Sequence, residues 1–148
     1  SETKENVAKE NFSIKMSDKY TFTDPKDLDF DNRYVLSGDK NSKLLSDMSN
    51  MGYEATNIYE ILYVKGDKAV AEYQYFVCKN EQSAKDLEEF YSSQGQKVTR
   101  EESVLYAYTE GEVVQANITM YASLGNMKEE TPEAYITFLQ NFQGLVKY

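Results

Sequence analysis

Between residues 57 and 78 the chain reads NIYEILYVKGDKAVAEYQYFVC, with β-branched and aromatic residues alternating on both sides of a Gly66-Asp67 turn. A period of two is the pattern of a strand with two unlike faces, and a glycine turn between two such runs signals a β-hairpin. A second block over residues 102–122, ESVLYAYTEGEVVQANITMYA, repeats the pattern around Gly111 and predicts a second hairpin. Each block is followed by a helical stripe. In NEQSAKDLEEFYSSQG the cap is Asn80 and the stripe is Ala84, Leu87, Phe90 and Tyr91. In TPEAYITFLQNFQGLV the cap is Thr131, Pro132 sits in the first turn, and Tyr135, Phe138, Leu139 and Phe142 form the stripe. A shorter helix starts near Asn41 or Ser42, uses Leu44, Leu45, Met48 and Met51, and ends at Gly52.

Amphipathic helices that follow antiparallel hairpins must bury their stripes against one sheet face. The expected fold is therefore an α+β two-layer sandwich, with about three helices on one face of a hairpin-built sheet in a repeated ββα-type order. A length of 148 residues suits one domain. Residues 12–148 are read as that domain. Residues 1–11, polar and charged, are read as a flexible tether. Phe12, Ile14, Met16, Tyr20 and Phe22 alternate, which predicts a strand or irregular hairpin.

The aspartates of DPKDLDFDNRY, residues 24–34, invite a calcium reading. From Asp27 they match the first ligand positions of an EF-hand, but the twelfth position is Gly38 where a bidentate glutamate is needed. The preferred reading is a strand with Leu28, Phe30, Tyr34 and Leu36 on one face and Asp27, Asp29, Asp31 and Arg33 on a solvated one. No metal ligand is assigned.

Pairing Val64 with Ala69 across the first turn sets Ile58, Leu62, Val64, Ala69, Ala71, Tyr73, Tyr75 and Val77 on one face. Tyr59, Ile61, Tyr63, Val70, Glu72, Gln74 and Phe76 take the other. In the second hairpin Leu105, Ala107, Val114, Ala116, Ile118 and Met120 oppose Val104, Tyr106, Tyr108, Gln115, Asn117 and Tyr121. With the helices on the aliphatic side, the tyrosine-bearing side is expected to lack a cover. Its candidate binding residues are Tyr59, Tyr63, Glu72, Gln74, Tyr106, Tyr108, Gln115, Asn117 and Tyr121, since tyrosine offers a flat ring and a hydroxyl at low entropic cost. Cross-strand stabilisation is the competing explanation for the same rings.

Composition narrows the chemistry. The chain has no histidine, which removes the commonest general base and neutral zinc ligand. Cys78 is alone, so no internal disulfide forms, and it is read as a small buried hydrophobe. No GxGxxG or P-loop motif occurs, and no cofactor is assigned. Glu60 falls on an apolar face, where a place at the sheet margin is favoured over a catalytic role. A net charge of −9 disfavours nucleic acid, and apolar runs are too short for membrane insertion. The expectation is a non-enzymatic extracytoplasmic domain, secreted or anchored to the cell envelope, that binds a protein, peptide or glycan. The alternatives are a small ligand carrier or carboxylate-based enzyme with an interlayer pocket, and a homodimer that buries the tyrosine face.

Overall fold

The computed structural model describes residues 12–39, 43–66, 68–110, 114–141 and 145–147. The expected tether, the Asn41 or Ser42 cap and the turn at Gly111 lie outside the described residues. Strands β1 (Ser13–Ser17) and β2 (Tyr20–Thr23) form a small antiparallel hairpin. The main sheet comprises β3 (Asn32–Asp39), β4 (Ala55–Lys65), β5 (Lys68–Cys78), β6 (Thr99–Glu101), β7 (Val104–Glu110) and β8 (Leu145–Lys147). Their spatial order is β6-β7-β5-β4-β3-β8, and neighbours are antiparallel throughout. Helices α1 (Lys43–Asn50), α2 (Glu81–Ser93), α3 (Val114–Ser123) and α4 (Pro132–Asn141) lie on one face. The protein is an α+β sandwich, as the hairpin and stripe patterns predict.

Local chemistry explains several boundaries. The Asn80 side chain accepts the Ser83 amide at 2.8 Å, and Thr131 Oγ1 accepts the Ala134 amide at 3.1 Å, so both expected caps form. Leu44, Leu45, Met48, Leu87, Tyr91, Ile118, Tyr121, Tyr135 and Leu139 bury the helical stripes against Leu36, Ile58, Leu62, Phe76 and Leu105 of the sheet.

Four expectations are corrected. The first concerns the phase of β5. Val64 does pair with Ala69, but Tyr63 then pairs with Ala71, so Val70 is the extra residue of a β-bulge. From Ala71 onward the faces are inverted: Ala71, Tyr73 and Tyr75 join Tyr59, Ile61 and Tyr63, while Glu72, Gln74 and Phe76 turn toward the helices. The second concerns residues 114–123, which form α3 rather than a strand. The slot beside β7 is taken by β6 through a tight turn at Glu102 and Ser103, with Glu102 at φ 53°. Asn117, Ile118 and Tyr121 then bury one helical side.

Third, β3 begins only at Asn32, and Asp27 has φ 65°, so residues 24–30 do not continue the strand. Arg33 is wholly buried and ion-paired with Asp24, Asp29 pairs with Lys65, and Asp31 accepts the Gly66 amide at 2.7 Å. Asp27, Asp29 and Asp31 remain exposed as expected, the last two with partners on the β4–β5 turn, whereas Arg33 leaves the solvated side for the interior. Fourth, the tyrosine side is not bare. The β1–β2 hairpin and Leu28 and Phe30 pack over its centre against Val35, Ile61, Tyr63, Tyr73 and Tyr75.

Candidate functional site

Two features concentrate polar chemistry, and the first lies between the sheet and the helices. Glu60 of β4 and Glu72 of β5 are each 1% exposed. Glu60 is opposite Gln74, and Glu72 is opposite Leu62, which places the two acids diagonally on the helix-facing side. Glu60 Oε1 accepts from Gln74 Nε2 at 2.8 Å and from the Tyr121 hydroxyl. Glu72 Oε1 accepts from Asn117 Nδ2 at 2.6 Å and from the Tyr135 hydroxyl at 2.8 Å. Tyr91 donates to Asn117 Oδ1 at 3.0 Å, and Gln74 Nε2 also reaches that oxygen at 2.7 Å. Thus α2, α3 and α4 each hand a tyrosine to one buried network. No cation pairs with either glutamate among the described residues.

Physical consequences follow from that burial. Loss of solvent pushes Glu60 up to about 7, against hydrogen bonds from Tyr121, Gln74 and Tyr135 that favour its ionised form. Glu72 is held well above the usual carboxylate range, by burial first and then by the charge of Glu60. Glu60 Oε2 and Glu72 Oε2 are buried without a hydrogen-bond partner. The hollow beside Gln74 and Tyr91, walled by Phe76, Leu105 and Ala107, is too small for an organic ligand.

The second feature is the margin of the tyrosine side that the hairpin leaves accessible. Tyr20 of β2 stacks on Tyr73 and Tyr75, with ring centroids 6.0 and 5.7 Å apart, and leans on Tyr106 at 5.6 Å. Tyr73 and Tyr75 are buried beneath it, whereas Tyr20, Tyr59, Tyr106 and Tyr108 remain partly open. Tyr106 donates to Glu101 at 3.5 Å and Tyr108 donates to Glu110 at 2.8 Å. Burial raises both phenols, and the neighbouring carboxylates raise them further.

The nine predicted binding residues therefore do not form one surface. Tyr59, Tyr63, Tyr106 and Tyr108 share the side away from the helices, and Tyr63 is fully buried there, donating to Asp24 at 2.7 Å. Glu72, Gln74, Asn117 and Tyr121 are buried in the interlayer network, and Gln115 is exposed on α3. Glu60 is not at a margin but at the centre of that network. Sequence reasoning missed Tyr91 and Tyr135, although a tyrosine in an apolar helical stripe must find a partner for its hydroxyl. It also missed Tyr20 and Tyr75. Cys78 is free and buried as expected, and burial pushes its thiol up to about 11. Among the described residues no helix is long and apolar enough to cross a membrane. Comparison with protein-family models, with curated proteins and with solved structures finds no match.

Proposed function

We propose that this is a non-enzymatic binding domain that grips a protein or peptide partner through the open tyrosines Tyr59, Tyr106 and Tyr108, with Tyr20 as the adjoining wall. The observation that supports this reading is the pairing of ring and carboxylate. Two half-open phenols carry Glu101 and Glu110 on their hydroxyls, and these two acids are the charged side chains that β6 and β7 present on that side. A ring face beside a carboxylate favours a guanidinium or ammonium, by cation–π attraction of ~0.5–1 kcal/mol at exposed sites plus ion pairing. A partner with basic side chains is preferred over a neutral glycan. The net charge of −9 speeds the approach of such a partner.

The test compares an arginine-rich peptide, a glutamate-rich peptide of equal length and a neutral oligosaccharide, with binding read by chemical-shift changes. The arginine peptide should perturb Tyr59, Tyr106 and Tyr108. The Y106S/Y108S and E101Q/E110Q variants should weaken it, whereas E129Q/E130Q, which removes the same charge from exposed positions elsewhere, should not. Equal weakening by both charge variants would mean nonspecific attraction and reject the site.

A further inference from the structure

We propose that Glu60 and Glu72 form a proton-operated clasp between the sheet and its helices, fastened while the pair holds a proton and released when both carboxyls ionise. This does not depend on the tyrosine surface, which lies on the opposite side of the sheet. The clasp is built from one acid on each of two neighbouring strands and one tyrosine from each of three helices. Oε1 of each glutamate already accepts two hydrogen bonds, from Gln74 and Tyr121 at Glu60 and from Asn117 and Tyr135 at Glu72. Tyr91 joins through Gln74 and the Asn117 oxygen. A proton therefore belongs on Oε2, the oxygen that each acid keeps buried outside these hydrogen bonds.

The surroundings supply no positive charge. The titratable groups on this side are Tyr91 of α2, Tyr121 of α3, Tyr135 of α4 and Cys78 of β5, all of which are neutral or titrate to an anion. Helix α1 packs here with Leu44, Leu45 and Met48, β3 sets Leu36 opposite Glu60, and β7 sets Thr109 opposite Glu72. The buried Arg33 is opposite Tyr63, on the other side of the sheet, and is paired with Asp24. Two carboxylates in such a place repel each other and lack a counter-charge, whereas one proton removes a buried charge and the repulsion together. An unfolded glutamate releases its proton near 4.5, while burial moves Glu60 up to about 7 and holds Glu72 well above the usual range. The folded chain therefore binds these protons more tightly than the unfolded one. The resulting stabilisation is fully present below pH 4.5 and is lost as the pH rises through about 7. Since the acids sit on strands and their tyrosine partners on helices, the helical layer is the part that loosens first.

The wild-type protein provides the first test, by infrared spectroscopy. At about pH 6.5, where exposed carboxyls have released their protons, the carbonyl band of a protonated carboxyl should remain, and it should fade as the pH is raised to about 9. Its absence at the lower pH, or its persistence unchanged to the higher one, would overturn the proposal. Amide hydrogen exchange, corrected for its intrinsic pH dependence, should quicken over the same range in α2, α3 and α4 ahead of β1 and β2. Uniform quickening throughout the chain would count against a clasp. Tm should fall by roughly 5 °C between about pH 5.5 and 8. E60Q/E72Q should lose the band and flatten that fall, whereas E129Q/E130Q, which removes equal charge from exposed positions, should keep both. Equal flattening in the two variants would assign the fall to net charge and reject the clasp.

Discussion

Arg33 shows how much one side chain can depend on its neighbours. It is wholly buried, Asp24 binds its guanidinium through two oxygens, and the Phe12 ring lies 3.9 Å from it. The same carboxylate accepts from Tyr63, so Asp24 ties the segment before β3 to the strand beneath it. D24A should cost about 3 kcal/mol in chemical denaturation, because it takes the bidentate counter-charge from a buried guanidinium. Tyrosine ionisation gives a second check at this scale. Burial raises Tyr63 and Tyr73 above the ordinary phenol value of 10.0, with Asp24 adding to the shift at Tyr63. A folded-state value above the unfolded one means that the folded chain holds the proton more tightly. These groups therefore stabilise the fold fully below about pH 10 and progressively less above it. The phenolate absorbance of Tyr63 and Tyr73 should appear together with alkaline unfolding. An early, gradual ionisation of all tyrosines would contradict their burial.

The bulge at Val70 acts on a whole strand. One added residue decides which side every later β5 residue faces, so its deletion should drive Glu72 and Gln74 outward and force Tyr73 and Tyr75 beneath the helices. Loss of cooperative unfolding and of dispersed amide resonances is the expected result. By comparison N80A, which removes one cap, should cost only about 1 kcal/mol. These two sites also mark what could be read in advance. The cap was legible because it rests on one residue and its third neighbour. So were the turn between Val64 and Ala69 and the outward side of β4. The bulge was not, because two residues of one strand facing a single partner leave no trace in a period-two pattern. Helix α3 was misread for a related reason: Asn117 and Tyr121, four apart, share a side in a strand as in a helix, and Ile118 and Met120 fit alternation; only the joint burial of Asn117, Ile118 and Tyr121 distinguishes the helix. Glu60 was visible on an apolar face, and Glu72, Gln74, Asn117 and Tyr121 were visible as polar or tyrosine positions. The inverted phase of β5 and the misread α3 hid that they gather around Glu60 instead of sharing the tyrosine side.

At the scale of the molecule, a six-stranded sheet is covered by helices on one side and by a separate two-stranded hairpin on the other. The hairpin belongs to its own sheet and is held on the large one by side chains such as Tyr20 and Phe22, the latter 4.1 Å from Tyr73 between ring centroids. Y20S/F22S should therefore loosen the hairpin while the helices persist. Dye binding to newly uncovered apolar surface should rise with little change in far-ultraviolet circular dichroism. Simultaneous loss of both would show that the hairpin and the main body fold as one unit. The pairing of β8 with β3, Leu145 with Leu36 and Lys147 with Tyr34, has a consequence during biosynthesis. The outer rim of β3 leaves the ribosome early and waits for a mate encoded far downstream. A nascent chain paused before residue 145 would carry that open rim into the crowded cell, and chains stalled there should adhere to one another by it.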